Sequence, residues 1–286
     1  MTATQKTAIV TEIIRLSKLY ATEDGKTNQG KVAIMAGVSS ATITQMIKNN
    51  WELIKDEMWQ KVKINLRIDT DWNNAETTNY VQLTKLLKEV QLRNMSVCIV
   101  HNAGTGKSHT YKLYESNFEN VIYIECKNYW TKKSYVKQLL IACGLDPFGT
   151  VEEMIEKFIN KVKKLKKPII IIDQFDKLKE PSMDLFMDFY NDLDKHCGFV
   201  LSGVPALKKR IERGCQNEKI GYDELKSRIG KKYIPLYPIK EKDVQAVCEA
   251  NGVTDEQFIN ETYNTCEGDL RRVRRSIDQY FLMQNN

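Results

Sequence analysis

The sequence predicts an α/β fold in which helices cover both faces of a parallel sheet, preceded by an all-helical region and followed by a smaller one. Three observations predict it. An apolar run of strand length over residues 95–100 breaks into Gly104, Gly106, Lys107 and Ser108. Four further strand-like runs, VIYIEC from Val121, PIIIIDQ from Pro168, GFVLSGVP from Gly198 and YIPLYP from Tyr233, are separated by helical stretches, the pattern of a buried parallel sheet. Residues 1–67 lack strand-like alternation, and residues 241–286 read as helical with breaks at Gly252 and Gly268.

The 286 residues are enough for one to two domains, and 42% hydrophobic with 28% charged residues describe an ordinary globular protein. No apolar run approaches the roughly 20 residues of a membrane span, and the amino terminus is too polar for a secretory signal, so the expected setting is the cytoplasm and no membrane partner is expected. Seven singly scattered cysteines give neither a zinc spacing nor a disulfide framework and are expected to be reduced. An excess of 43 basic over 37 acidic residues permits a polyanionic partner without requiring one.

In residues 1–67, Ile9, Ile13, Ile14 and Leu16 begin an apolar helical stripe. The stretch QGKVAIMAGVSSATITQMIKNN has the shape of a helix-turn-helix, with Ala33 on the first helix, Gly37 at the turn, Val38 buried beside it and the second helix from Ser40. Ser40, Thr42, Thr44 and Gln45 are then the short polar side chains offered to base edges, and Lys48 can reach a phosphate. The AxxxGVSxxTI pattern resembles the repressor-like helix-turn-helix family; WELIKDEMWQKVKINL, with Trp51, Leu53, Ile54, Met58 and Trp59, supplies the closing helix. A helical bundle used for protein contacts is the plainer alternative.

Residues 68–94 read as a polar linker running into a helix. Thr77, Thr78 and Tyr80 are candidates for contact with a nucleotide base. The core, residues 95–240, opens with the loop Asn102, Ala103, Gly104, Thr105, Gly106, Lys107, Ser108, His109. Its glycines let backbone N–H groups curl around phosphates, Lys107 neutralises their charge, and the Ser108 hydroxyl is a magnesium ligand. The helix that follows turns its positive end to the anion. His101 stands where the full motif has its first glycine. The run PIIIID ends in Asp173, where a phosphate-loop fold puts the carboxylate that holds magnesium.

PIIIIDQFDKL resembles the Walker B segment of AAA+ ATPases, in which a glutamate follows the aspartate and orients the attacking water. Gln174 has that position here. Glutamine can hydrogen-bond a water but cannot take its proton, so ATP binding with deficient hydrolysis is expected, whether Gln174 is native or an introduced change that traps ATP. The resemblance further implies that Ser202 is the polar sensor at the γ-phosphate. It makes Arg228, in DELKSRIGKK, an arginine finger acting on a neighbouring subunit, and Arg271, in GDLRRVRRSI, the second sensor. Residues 241–286 then form the helical lid over the nucleotide. Lys132 and Lys133, in the aromatic and basic stretch KNYWTKKSYVKQ, correspond to channel-lining DNA contacts in DNA-threading members.

A helix-turn-helix followed at once by an AAA+ module resembles the MuB group of transposition helpers, relatives of TnsC, TniB and IstB. That resemblance implies ATP and Mg2+ as cofactors, duplex DNA and a transposase as partners, and a homo-oligomeric filament or ring in a bacterial host, released from DNA by hydrolysis. A replication initiator or helicase loader, and a non-hydrolysing ATP-liganded regulator, are the competing readings.

Overall fold

The computed structural model describes residues 1–22, 24–69 and 72–284. The chain begins with α1 (Ala3–Leu19), α2 (Gln29–Ala36), α3 (Ser40–Ile47) and α4 (Asp56–Asn65). Thr2 and Gln5 cap α1 reciprocally, and Ile9, Ile13 and Leu16 put the buried stripe of α1 at helical spacing against Val32, Ala36, Ile43 and Trp59. Gly37 ends α2 in a left-handed conformation and the Ser39 hydroxyl caps α3. Asn65 on α4 closes the turn by donating to the Ala36 carbonyl at 2.8 Å. Val38 is half-buried rather than buried, and Leu53 and Met58 face outward, while Trp59, edge-on to Trp51, is fully buried.

The core follows in the order α5 (Thr78–Arg93), β1 (Ser96–Val100), α6 (Lys107–Asn117), β2 (Val121–Glu125), α7 (Lys132–Ala142), α8 (Val151–Lys163), β3 (Ile169–Asp173), α9 (Glu180–Met183), α10 (Leu185–Leu193), β4 (Gly198–Gly203), α11 (Pro205–Gln216), α12 (Tyr222–Arg228) and β5 (Tyr233–Ile234). The five strands are parallel in the order β2-β3-β4-β1-β5. Side chains alternate across the sheet. Ile169 and Ile171 of β3 pack with Val121, Tyr123 and Val200 under α5 and α6, while Ile170 and Ile172 pack with Phe158, Phe186 and Phe199 on the opposite face. The fifth strand is shorter than its apolar run suggests, since Pro235 and Pro238 cannot donate to a ladder.

The chain closes with α13 (Glu241–Ala250), α14 (Glu256–Cys266) and α15 (Leu270–Gln284), which enclose a small core of their own around Val244, Ile259, Val273 and Ile277. Among the described residues no helix is long and apolar enough to cross a membrane.

The N-terminal helices sit on the β2 and α6 side of the core. Lys31 of α2 lies 3.8 Å from the centroid of the Tyr20 ring and against Gly144, where an added Cβ would come within 2.4 Å of its Cγ. Arg67, just beyond α4, pairs with Glu115 of α6 at 2.9 Å. Between the two parts runs a groove of about 1180 Å³, lined in part by Tyr20, Trp72, His109, Lys112, Glu125 and Arg274.

Candidate nucleotide site

The loop between β1 and α6 is built for a phosphate. Gly104 and Gly106 have φ of +81° and +88°, a conformation that side chains resist, and Gly106 caps α6 so that its first backbone N–H groups face the loop. At Gly104 there is also no room, because a Cβ would lie 2.1 Å from Oδ1 of Asp269. Thr105 is buried and its hydroxyl donates to the Asn102 carbonyl at 3.1 Å. Lys107 folds back onto its own loop, donating Nζ to the carbonyls of His101 at 2.8 Å and Asn102 at 2.7 Å. Burial lowers the pKa of Lys107 despite the nearby carboxylates of Asp173 and Asp176. The His101 backbone N–H is tied to Gly203 of β4, and burial and the charge on Lys107 push its imidazole down, which keeps it neutral beside the loop.

Asp173 continues the row of Ile169 and Ile171, so the alternation of β3 points it at α6, where it is 1% exposed and accepts a short hydrogen bond from the Ser108 hydroxyl. Tyr123 Oη lies 3.3 Å from the same carboxylate oxygen. Burial raises the pKa of Asp173 more than the hydrogen bonds from Ser108, Ser202 and its neighbour's backbone N–H lower it. A desolvated carboxyl paired with one hydroxyl fits magnesium, a hard cation that keeps several waters and needs few protein oxygens; Ser108 and Asp173 would hold it. Among the described residues no group of three or more acidic, histidine or cysteine side chains makes a richer metal cage. Ser202 is fully buried at the end of β4 and lies 3.1 Å from the hydroxyl of Tyr111 on α6.

Gln174 is left-handed, with φ of 55°, and its side chain bonds Glu125 and Lys177. Its Nε2 donates to Oε1 of Glu125 at 2.9 Å, and its Oε1 accepts from Lys177 Nζ. The corner between α14 and α15 leans on the loop: Leu270 N donates to the Gly104 carbonyl at 2.9 Å, and Arg271 grips Asp269 through Nε and Nη2 at 2.9 and 2.7 Å. Arg271 is therefore at the mouth of the loop, close enough to lower the pKa of Lys107.

Residues 90–211 match the family model described as an AAA domain. This part of the chain is similar to AAA domains. It implies nucleotide binding and an ATP-dependent activity. The match runs from the end of α5 into α11 and leaves the N-terminal helices, α12, β5 and the C-terminal helices outside it. No curated protein matches the chain.

Other expected site residues have different surroundings. Tyr80 lies half-buried in the first turn of α5, which Thr77 caps. The neighbour that ties this segment to the site is Asn79, absent from the sequence reading: fully buried, it exchanges hydrogen bonds with the backbone of Tyr237 at 2.9 and 3.0 Å and reaches the Thr105 carbonyl at 3.4 Å. His109 faces the groove with Trp72 and Arg274. Arg228 lies over the Tyr190 ring, 5.1 Å from its centroid, and bonds Glu224 at 3.3 Å. Lys132 and Lys133 are exposed at the start of α7, behind the exposed Tyr129 and the buried Trp130. Arg210, grouped in the sequence with Lys208 and Lys209, donates to the carbonyls of Asp176 and Leu178 and so braces the segment after Asp173.

Ser40 at the start of α3 and Lys48 just past its end are exposed. Thr42 shares a hydrogen bond with Ser39, Thr44 bonds Gln29, and Gln45 accepts from Asn50 at 2.6 Å, so these three side chains are engaged within the helical unit.

Proposed function

We propose that the chain is an ATP-dependent DNA-binding protein that oligomerises on duplex DNA, presents it to a transposase as a target, and leaves it when ATP is hydrolysed. The observation that carries this reading is the attachment of the N-terminal helical unit to the nucleotide site: Arg67 bonds Glu115 on α6, the helix that also carries Lys107 and Ser108. A helix-turn-helix mounted on that helix gives ATP binding a direct way to alter DNA binding.

Charge supports a polyanionic partner. The chain is +6 overall, and α7 opens with Lys132 and Lys133 and no acid in its first turn, against the preference of a helix N-terminus for negative charge. The step to transposition rests on the order of the modules, the helical unit first and the AAA domain after it. Electron microscopy of the protein with ATP and linear duplex tests the reading. Filaments or rings that need both ATP and DNA are expected; particles that stay monomeric with both present overturn it.

A further inference from the structure

The geometry points to Glu125 as the carboxylate that aims the attacking water at the γ-phosphate, with Gln174 holding it in place. The inference rests on the reading of residues 90–211 as an ATP-hydrolysing domain. Strands β2 and β3 are parallel with Glu125 directly opposite Asp173. Alternation therefore sends both carboxylates out on the same face, after Tyr123 on one strand and Ile171 on the other. That face is covered by α6, on which Ser108 bonds Asp173 and Lys112, one turn later, meets Glu125 at 3.2 Å. Glu125 thus stands one strand along from the residues that would hold magnesium.

Its carboxylate is fixed from three sides, by Lys112, by Lys127 at 3.0 Å and by the Gln174 amide at 2.9 Å. A carboxylate offers about four acceptor positions, so these donors leave one for a water, and a side chain 21% exposed is within a water's reach. Burial would raise the pKa of Glu125, but Lys112 and Lys127 outweigh it and hold the group down at about 2. It is charged at any ordinary pH and acts by orientation, not by storing a proton.

Orientation is what this reaction asks for. The water oxygen bonds to the γ-phosphorus as the bond to the β,γ-bridging oxygen breaks and its electron pair leaves with ADP; the water's proton passes to an oxygen of the departing phosphate. In so loose a transition state, aiming the water matters more than deprotonating it early. The amide at 174 then has a reason. A glutamate there would set a second negative charge against Glu125 at hydrogen-bonding distance, where like charges resist sharing a site.

Phosphate release under saturating ATP and magnesium, with ATP binding measured by equilibrium dialysis, tests the assignment on the full chain and on Glu125→Gln, Glu125→Asp, Gln174→Glu and the double exchange Glu125→Gln with Gln174→Glu. Expected are turnover by the parent above a Lys107→Ala blank, a loss of about 10²-fold in kcat for Glu125→Gln with ATP affinity kept, an intermediate loss for the shorter Glu125→Asp, no gain from Gln174→Glu alone, and recovery in the double exchange. A role confined to ion pairing predicts no such recovery. ATP bound with kcat unchanged in Glu125→Gln overturns the assignment alone, as does a silent parent awakened by Gln174→Glu. A parent that binds no ATP overturns the underlying reading, and the assignment with it.

Discussion

Arg67 donates from Nη1 to Oε2 of Glu115 at 2.9 Å, joining the end of the N-terminal helices to the helix that begins at the phosphate loop. The same guanidinium lies 4.7 Å from the centroid of the Tyr123 ring, whose hydroxyl reaches Asp173. One cation therefore touches the helical unit, α6 and the strand beside Asp173.

Removing it leaves Glu115, whose side chain is 10% exposed, without its charged partner. Arg67→Ala is expected to destabilise the protein by about 2 kcal/mol, the cost of an unpaired charged group at a partly exposed pair. Burial already raises the pKa of Glu115 while Arg67 pulls it down, so the variant's carboxyl rises further. A raised carboxyl means that the folded state holds a proton more tightly than the unfolded one, and stability falls as pH rises from the ordinary glutamate value through the raised one. The defect of Arg67→Ala is therefore largest at neutral pH and shrinks on acidification. Thermal melts of parent and variant across pH check this; an equal deficit at all pH values contradicts it.

Asp173 is held in a state suited to a ligand and not to the empty fold. Burial raises its pKa, so ionising it costs stability at neutral pH. Asp173→Asn is expected to melt at a higher temperature than the parent without nucleotide, and to lose the further rise that ATP and magnesium give the parent. In the parent, metal competes with a proton for this carboxyl, so affinity for ATP with magnesium weakens as pH falls through the raised value. Calorimetric titrations at a series of pH values follow that trend.

Lys132 and Lys133 carry the DNA prediction. If both meet phosphates, replacing them with alanine reduces the slope of log affinity against log salt by about 2, since each contact releases roughly 0.9 of a counterion. Lys208→Ala is the control: its side chain is paired with Glu212 at 3.8 Å and lies over the Tyr233 ring, and its loss leaves the slope unchanged. A parental slope in the Lys132 and Lys133 variant removes those residues from the interface.

The phosphate loop and Asp173 were legible in the sequence because each motif is contiguous: Gly104 to Ser108 and the run ending at Asp173 need no tertiary knowledge. Glu125 was not, although VIYIE and IIIID both end in an acid, because its meaning depends on β2 being the parallel neighbour of β3, which spacing along the chain does not encode. Asn79 was hidden for the same reason, its partners Thr105 and Tyr237 lying far along the chain. The engagement of Thr44 and Gln45 was lost on a sequence reading that took every polar residue of α3 as free to face outward.

Arg228 has no contact with Lys107, Ser108 or Asp173 among those the structure records; its bonds are to Glu224 and its stacking is on Tyr190. Its Nε is buried without a hydrogen-bond partner. A guanidinium held on an aromatic ring at the end of α12 is preorganised, and if it serves the nucleotide it does so on a neighbouring subunit, where such a residue stabilises charge on the transferring phosphate. Arg228→Ala is accordingly expected to bind ATP within about twofold of the parent, since nothing in its own site is lost, while losing the ATP-dependent assemblies on DNA and any hydrolysis that assembly stimulates. Sedimentation with ATP and duplex, read beside equilibrium dialysis of ATP, separates the two effects. Arg228→Lys is the sharper variant, because it keeps the charge but not the planar fork. Assemblies of parental size in both variants would assign Arg228 to the packing of α12 on Tyr190 and remove it from the subunit interface.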